Sequence, residues 1–305
     1  MKTILAIDST TEVLSASVSE NGNIVSELED NKSQRHMVNI INDIDTVLKH
    51  ANKTVKDIDL FSINLGPGDF TGGRIGISVV KMFSMLSGKP VFGFNSLDVF
   101  STGCVLKNIN SISKKMIDLG GVYIMPLMDV RNDEIYFSIY EVKNYADSNN
   151  LIFRFDFEGK QYYLYKRSGD FLLGRDDFSK KFSQIINQLN LLKKCNCLTC
   201  SQIFNNGNSS EDAGQGKEQN HDFNVMQKEF LLILTANAVK SHKELFENLI
   251  RDIKSENKGV CTSLDEKNVN PNSKYLNFLA DYSFSNGLKS LPIAPVYVRD
   301  FIAFK

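Results

Sequence analysis

The stretch best equipped for chemistry is Leu65 to Ile77, LGPGDFTGGRIGI, between one apolar run at Leu60 to Leu65 and another beginning at Ile75. Its layout predicts strand, tight glycine-rich turn, helix. Gly66, Gly68, Gly72 and Gly73 permit positive φ and close backbone approach, Pro67 and Phe70 fill the turn, and Thr71 is placed to cap a helix whose first turn carries Arg74. Such a turn aims backbone N–H groups and a positive helix end at whatever lies above it, commonly a phosphate. The spacing fits neither the Gly-Lys-Ser/Thr phosphate loop nor the dinucleotide fingerprint, so a purely structural turn explains the glycines equally well. Asp8, followed by Ser9 and Thr10, ends the first apolar strand and is the best candidate for a carboxylate lining a cleft.

Other reactive side chains form weaker patterns. Cys195, Cys197 and Cys200 with His221 offer three thiols and an imidazole, enough for a tetrahedral zinc shell, but the spacing matches no standard knuckle and free thiols are the preferred reading. His36, His50, His221 and His242 contain no HxxxH or HExxH pair, which removes the compact helical metal motifs, and no GxSxG elbow is present. His36 reads as a cap or surface residue. Asp129, Arg131 and Glu134 cluster on a turn between two strands, where a salt-bridged hairpin is preferred over the polar edge of a cleft.

The elements that would carry these groups follow from pattern. Thr3 to Ile7 is a strand, Leu14 to Ser19 alternates apolar and small polar residues, Asn21-Gly22 is a hairpin signal and Ile24 to Leu28 returns. Met37, Ile40, Ile41, Ile44, Val47 and Leu48 recur at helical spacing over Met37 to Leu48. Arg74 to Leu86 differs in kind: apolar residues wrap it except for a strip at Arg74, Ser78 and Lys81, so it must be covered on more than one side, by its own domain or by another protein. Val91 to Phe94 is a strand and Ser96 caps a helix reaching Phe100, followed by a polar connection at Lys107 to Lys115. Strands follow at Val122 to Met128, Glu134 to Tyr140 and Gln161 to Lys166, then a helix marked by Phe178 to Leu192. A polar loop is expected over Lys193 to Asp222, a helix-prone segment over Phe223 to Lys254, a polar stretch over Lys258 to Ser273, and a short helix near Tyr275 to Tyr282. The order predicts a mixed-sheet lobe with helices against it and a second lobe after it.

Bulk properties narrow the function classes. With 305 residues the chain can bury a sizeable core, and 42% hydrophobic with 23% charged residues is ordinary globular composition. Lys and Arg number 35 against 36 for Asp and Glu, which argues against a chain that grips nucleic acid by itself. No apolar run approaches membrane-spanning length, and Asp8 interrupts the N-terminus where a signal peptide stays apolar, so a cytoplasmic location is expected. Five cysteines fit reduced thiols better than a disulfide framework.

Several motifs together resemble one family. IDST at 7 to 10, QRH at 34 to 36, GPGDFTGGRIG at 66 to 76, Ser96-Leu97, DVRNDEIY at 129 to 136 and PVYVRD near the C-terminus are similar, in this order, to the TsaB family, also called YeaZ. The resemblance implies an α/β actin-like, hsp70-like (ASKHA) fold of two RNase-H-like lobes, here 1–105 and 106–305, the latter with an insertion at about 191–272. It implies a non-catalytic partner of the threonylcarbamoyl transferase TsaD, acting with the ATPase TsaE so that TsaD modifies the adenosine beside the anticodon of tRNAs reading codons that begin with A. The chain itself would hold no metal and, alone, no cofactor; ATP or ADP would lie at the shared interface, near Asp8, Ser9, Thr10, Gly66, Pro67, Gly68, Phe70, Thr71, Gly72 and Arg74. The tRNA would be met only through the complex, with no membrane contact, and the chain left alone would be a candidate homodimer.

The partner face implied by the family lies on the two N-lobe helices, carried onto Met37, Ile40, Ile41, Ile44, Arg74, Ser78, Val79, Met82 and Phe83. A charge at Val79 or Phe83 is then expected to abolish pairing and leave the monomer folded. The chain departs from the family at Asp69, usually Ser, and at Gly73, usually Leu. Asp69 disfavours an anion at the turn, and Gly73 loosens the helix start by about 1 kcal/mol. The competing reading is an active ATP-dependent transferase on the same fold; a metallopeptidase is disfavoured by the missing metal motif.

Overall fold

The computed structural model describes residues 2–31, 36–119, 121–130, 133–147, 150–194, 230–256, 260–267 and 270–296. Strands β1 (Thr3–Asp8), β2 (Leu14–Glu20) and β3 (Asn23–Asp30) form an antiparallel meander, and β4 (Leu60–Asn64) and β5 (Val91–Phe94) add in parallel, giving the order β3-β2-β1-β4-β5. Asn21 and Gly22 both take positive φ, 49° and 82°, the backbone that a two-residue hairpin turn requires. Helices α1 (His36–His50) and α2 (Phe70–Ser87) cover one face of this sheet.

The other face of the same sheet is buried too, which the alternation in β2 does not announce. Leu14, Ala16 and Val18 join the core under α1 and α2. Ser15 and Ser17 point the opposite way, at the last described helix, Ser273–Ser285: Ser15 Oγ lies 2.7 Å from Ser273 Oγ, and Asn277 Nδ2 donates to Ser17 Oγ at 2.8 Å. Small hydroxyls let that helix approach the strand and satisfy its polar groups.

The second sheet is centred on β6 (Val122–Val130). Its antiparallel neighbour comes in two pieces, β7 (Glu134–Phe137) against Leu127 to Val130 and β8 (Tyr140–Lys143) against Val122 to Ile124. The break at Ser138 and Ile139 is stitched by Ser168, whose Oγ accepts the Ile139 N–H at 2.9 Å. Pro126, in a central strand where a ladder N–H is normally needed, falls opposite this break. Beyond lie β9 (Leu151–Phe157), β10 (Lys160–Lys166) and β11 (Phe171–Gly174), and on the far side of β6 come the parallel strands β12 (Phe230–Thr235) and β13 (Val260–Leu264).

Alternation along β6 divides two cores. Val122, Ile124 and Met128 face α3 (Ser96–Asp118), while Tyr123, Met125 and Leu127 face α4 (Arg175–Lys194), α5 (Asn237–Ser241) and α6 (Lys243–Glu256). The Ser273–Ser285 helix, α7, packs with α3 in one cluster that includes Ala6 of the first sheet. The layers therefore run α1 and α2, first sheet, α7 with α3, second sheet, then α4 to α6: two sheet-and-helix lobes sharing a helical middle layer.

Three expectations are corrected. Lys107 to Lys115 is no connection but part of α3, because Val105, Ile109 and Ile112 bury an apolar stripe beneath its polar face. Phe223 to Lys254 is not one helix: the continuous apolar run FLLILT is a strand buried on both faces, the pattern of a parallel strand covered by helices. The polar stretch from Lys258 contains β13. Residues from Phe230 onward, placed inside an insertion at about 191–272, thus build the centre of the second lobe, and the loop expected over Lys193 to Asp222 lies, beyond Lys194, outside the described residues.

Ala236, fully buried between β12 and α5, has φ 80° and ψ −175°, a region that favours glycine. Ala236→Gly is expected to raise stability by about 1 kcal/mol, read as a melting temperature about 2 °C higher.

Candidate docking face and the glycine-rich turn

At the end of β1, Asp8 is fully buried and entirely committed inward. Its carboxylate accepts from the Thr10 N–H at 3.0 Å, the Thr10 hydroxyl at 2.8 Å and Asn64 Nδ2 at 2.8 Å. Burial pushes its pKa above the ordinary carboxylate range, against the pull of those donors. Asn64 Oδ1 in turn accepts the Gly66 N–H at 2.9 Å, and the Ser96 hydroxyl lies 2.7 Å from the Pro67 carbonyl. Asp8, Thr10 and Asn64 are thus spent on fixing the turn, and Asp8 lines no open cleft.

The turn is equally filled. A Cβ on Gly68 would collide with the Thr10 carbonyl, and one on Gly72 with the Ser9 carbonyl, so the glycines serve close backbone approach between this turn and the end of β1. The Asp69 N–H donates to the Thr10 carbonyl at 2.5 Å, and Ser9 Oγ donates to the Gly72 carbonyl at 2.8 Å. The helix begins at Phe70 rather than Arg74, and its cap is Asp69 rather than Thr71: Asp69 Oδ2 accepts the Gly72 N–H at 2.6 Å. A carboxylate of the chain's own therefore occupies the positive helix end where a phosphate would bind. Gly68→Ala is expected to destabilise by about 2 kcal/mol, a drop of several degrees in melting temperature, since the clash is with backbone that cannot move aside.

Helix α2 has two faces of opposite character. Gly73, Gly76, Ile77, Val80 and Phe83 are buried against the sheet, with the Phe83 ring stacked 6.1 Å from that of Phe61. Outward run Phe70, Arg74, Ser78, Met82, Met85 and Leu86; Met85 is 85% exposed and Leu86 79%. The Arg74 guanidinium lies 3.8 Å from the centroid of the Phe70 ring, a cation–π contact at the head of the stripe. On α1, Ile41 is exposed. The helix that is apolar nearly all round is thus covered by its own lobe on one side and open on the other.

This sorting corrects the residues assigned to a partner face. Ile40, Ile44 and Phe83 belong to the core of their own lobe and present nothing to a partner. Val79 is half-buried at the border, and the side chains of His36 and Met37 lie outside the described residues. Ile41, Arg74, Ser78 and Met82 remain on the surface, joined by Phe70, Met85 and Leu86. Met85 and Leu86 were legible as apolar but not as exposed, because only the packing shows which side of α2 meets the sheet.

Asp129 has a partner beyond its hairpin. Its carboxylate accepts from His242 Nε2 at 3.1 Å, while Arg175 Nη1 lies 3.3 Å from His242 Nδ1, which assigns the proton to Nε2; Arg175 also bridges Asp133 at 2.9 Å. His242, which follows α5, and Arg175, which opens α4, are distant in sequence, so no local signal marks them, and Arg131, with any pairing of the hairpin through it, lies outside the described residues. Among the described residues no three His, Cys, Asp or Glu side chains converge as metal ligands, and Cys195, Cys197, Cys200 and His221 fall outside those residues. No described helix is long and apolar enough to cross a membrane.

Two sheets of this topology, joined through a shared layer of helices, define an actin-like two-lobe protein. Known proteins agree: the profile of the TsaD family, tRNA N6-adenosine threonylcarbamoyltransferase, matches residues 17–148. The tRNA threonylcarbamoyladenosine biosynthesis protein TsaB of Buchnera aphidicola (from Schizaphis graminum) is 33% identical over 98 residues, 32% of this chain and 46% of that protein. TsaB of Escherichia coli is 27% identical over 138 residues, 45% of this chain and 54% of that protein. The chain spans about half the length of the curated relatives it matches. Two Pseudomonas aeruginosa structures, one titled YeaZ and one described as similar to peptidase YeaZ, share the fold with TM-scores of 0.57 and 0.58 at 15% and 16% identity, covering 98% of this chain and all of theirs. Over its first half the chain is thus similar in sequence to TsaB proteins and to the TsaD family, and its fold is that of the YeaZ structures.

Proposed function

We propose that this chain is the non-catalytic subunit that binds and activates a TsaD-type threonylcarbamoyl transferase during threonylcarbamoyladenosine modification of tRNA next to the anticodon. The observation that carries this reading is the pairing of a filled turn with an open helix. The motif that would cradle a phosphate is occupied by Asp69 and the Thr10 carbonyl, whereas the outward stripe of α2 leaves Met82, Met85 and Leu86 in water. An exposed apolar stripe of this kind is the mark of a protein interface. The names of the relatives, tRNA threonylcarbamoyladenosine biosynthesis proteins, supply the process.

In this reading the transferase covers α2 and Ile41, a TsaE-type ATPase joins the pair, and any ATP or ADP lies at the shared interface. The near-neutral charge fits a subunit that meets tRNA only through the complex in the cytoplasm. Without the transferase, the same stripe offers a contact to a second copy.

The alternative is an active ATP-dependent transferase of the same fold. ATP turnover by the isolated chain separates the two: background hydrolysis is expected, and an enzyme-like rate of about 1 s⁻¹ without partners would favour the alternative.

A further inference from the structure

The first turn of α3 is pinned on both sides. Toward the first lobe, the Ser96 N–H donates to the Gly66 carbonyl at 2.9 Å and its hydroxyl reaches the Pro67 carbonyl. Toward the second, Asn95 Nδ2 donates to Tyr136 Oη at 3.0 Å and to Asp170 Oδ2 at 3.2 Å, while the Tyr140 hydroxyl donates to Asp98 at 2.6 Å. Lys166 closes the set: its ammonium is 2.5 Å from Asp170 and 3.7 Å from Asp98. Asn95 and Asp98 are buried, and the side chains of Lys166 and Asp170 nearly so.

The chemistry of the set is that of a self-contained lock. Two carboxylates brought together away from water repel each other unless a cation lies between them. Here that cation is a covalently attached ammonium, which cannot dissociate. Burial works against the charge on Lys166, but Asp98 and Asp170 outweigh it and hold its pKa above the ordinary lysine value. Asn95 and the two tyrosine hydroxyls bring the remaining hydrogen bonds.

We propose that Asn95, Asp98, Tyr136, Tyr140, Lys166 and Asp170 form a clasp that fixes the two lobes in one arrangement, with Lys166 as its built-in cation. The lobes then neither open nor close in response to nucleotide or divalent cation. This goes beyond the proposed function, since it concerns the motion of the chain alone and holds whichever partner α2 meets.

Amide hydrogen exchange on the full chain, followed by mass spectrometry of peptides covering 64–69, 95–100, 136–141 and 166–171, tests it. In the wild type, exchange at these peptides is expected to be unchanged by magnesium with ATP and by EDTA; a change of about 10-fold or more with either would overturn the clasp. Lys166→Met is expected to speed exchange there by about 10-fold or more while the α1 peptide keeps its rate. Should that variant unfold, Tyr136→Phe, which deletes one hydroxyl and keeps the ring, is expected to speed the same peptides by about 3-fold. Wild-type exchange rates at these peptides in the folded variant examined would overturn the proposal.

Discussion

Met85→Asp combined with Leu86→Asp is expected to abolish co-purification with a TsaD-type transferase while leaving the free chain folded. Both side chains stand almost wholly in water on the outward face of α2, so the lobe loses no packing when they are replaced, and surface changes of this kind shift stability by about 0.5 kcal/mol or less. In a complex that covers α2 the same positions become the desolvated centre of the contact. There a large apolar side chain is worth about 2 kcal/mol or more, and an unpaired carboxylate adds a desolvation cost. Affinity should fall by more than about 100-fold for the pair. Titration calorimetry gives the affinity, and a melting curve within about 2 °C of wild type confirms the fold.

One helical turn away, Phe83→Asp is expected to do the reverse. Phe83 lies under α2, stacked on Phe61 within the core that also holds Leu5, Ile63 and Val80. Truncating a buried phenylalanine costs about 3–5 kcal/mol, and an unpaired buried carboxylate costs more, against a total stability of about 5–15 kcal/mol. The variant should lose its cooperative melt at 25 °C or bring it down by more than about 10 °C. Pairing would disappear as well, but through the loss of the lobe. Phe83→Leu, a milder change of volume, should retain both the fold and the partner. If Phe83→Asp melted like wild type, the assignment of the two faces of α2 would be wrong.

These two outcomes mark where sequence reasoning reaches its limit. The run from Ile75 to Leu86 was legible as a helix apolar on nearly all sides, since its composition leaves only a thin polar strip. Which half faces inward depends on how the turn launches the helix from β4, and that is set by Gly68 and Gly72 meeting the carbonyls of Thr10 and Ser9, contacts between distant stretches of chain. Periodicity cannot resolve a question that long-range backbone contact decides. Phe83 therefore moved from the partner face to the core, and Met85 and Leu86 moved out.

The cap shows the same logic at shorter range. Thr71 and Asp69 both carry a capping oxygen, and the sequence supports either. The extended backbone at Asp69, with its N–H bonded to Thr10, settles the choice and changes the chemistry, because the cap brings a negative charge to the helix end. The second lobe was less legible than the first. Its strands β7 and β8 are one strand broken at Ser138, and β12 is an apolar run that helix and strand explain equally until its pairing with β6 is seen. The order of elements in the first lobe, by contrast, follows from local turn chemistry and strong periodicity, and it matches the observed sheet.

The central claim is that this chain makes a transferase work without doing chemistry itself. The most direct test is reconstitution: threonylcarbamoyladenosine formed on tRNA by a TsaD-type transferase and a TsaE-type ATPase, with ATP and the threonylcarbamoyl donor, in the presence and absence of this chain. Modification is expected to depend on the chain and to vanish with Met85→Asp and Leu86→Asp. Equal modification with and without the chain would contradict the account.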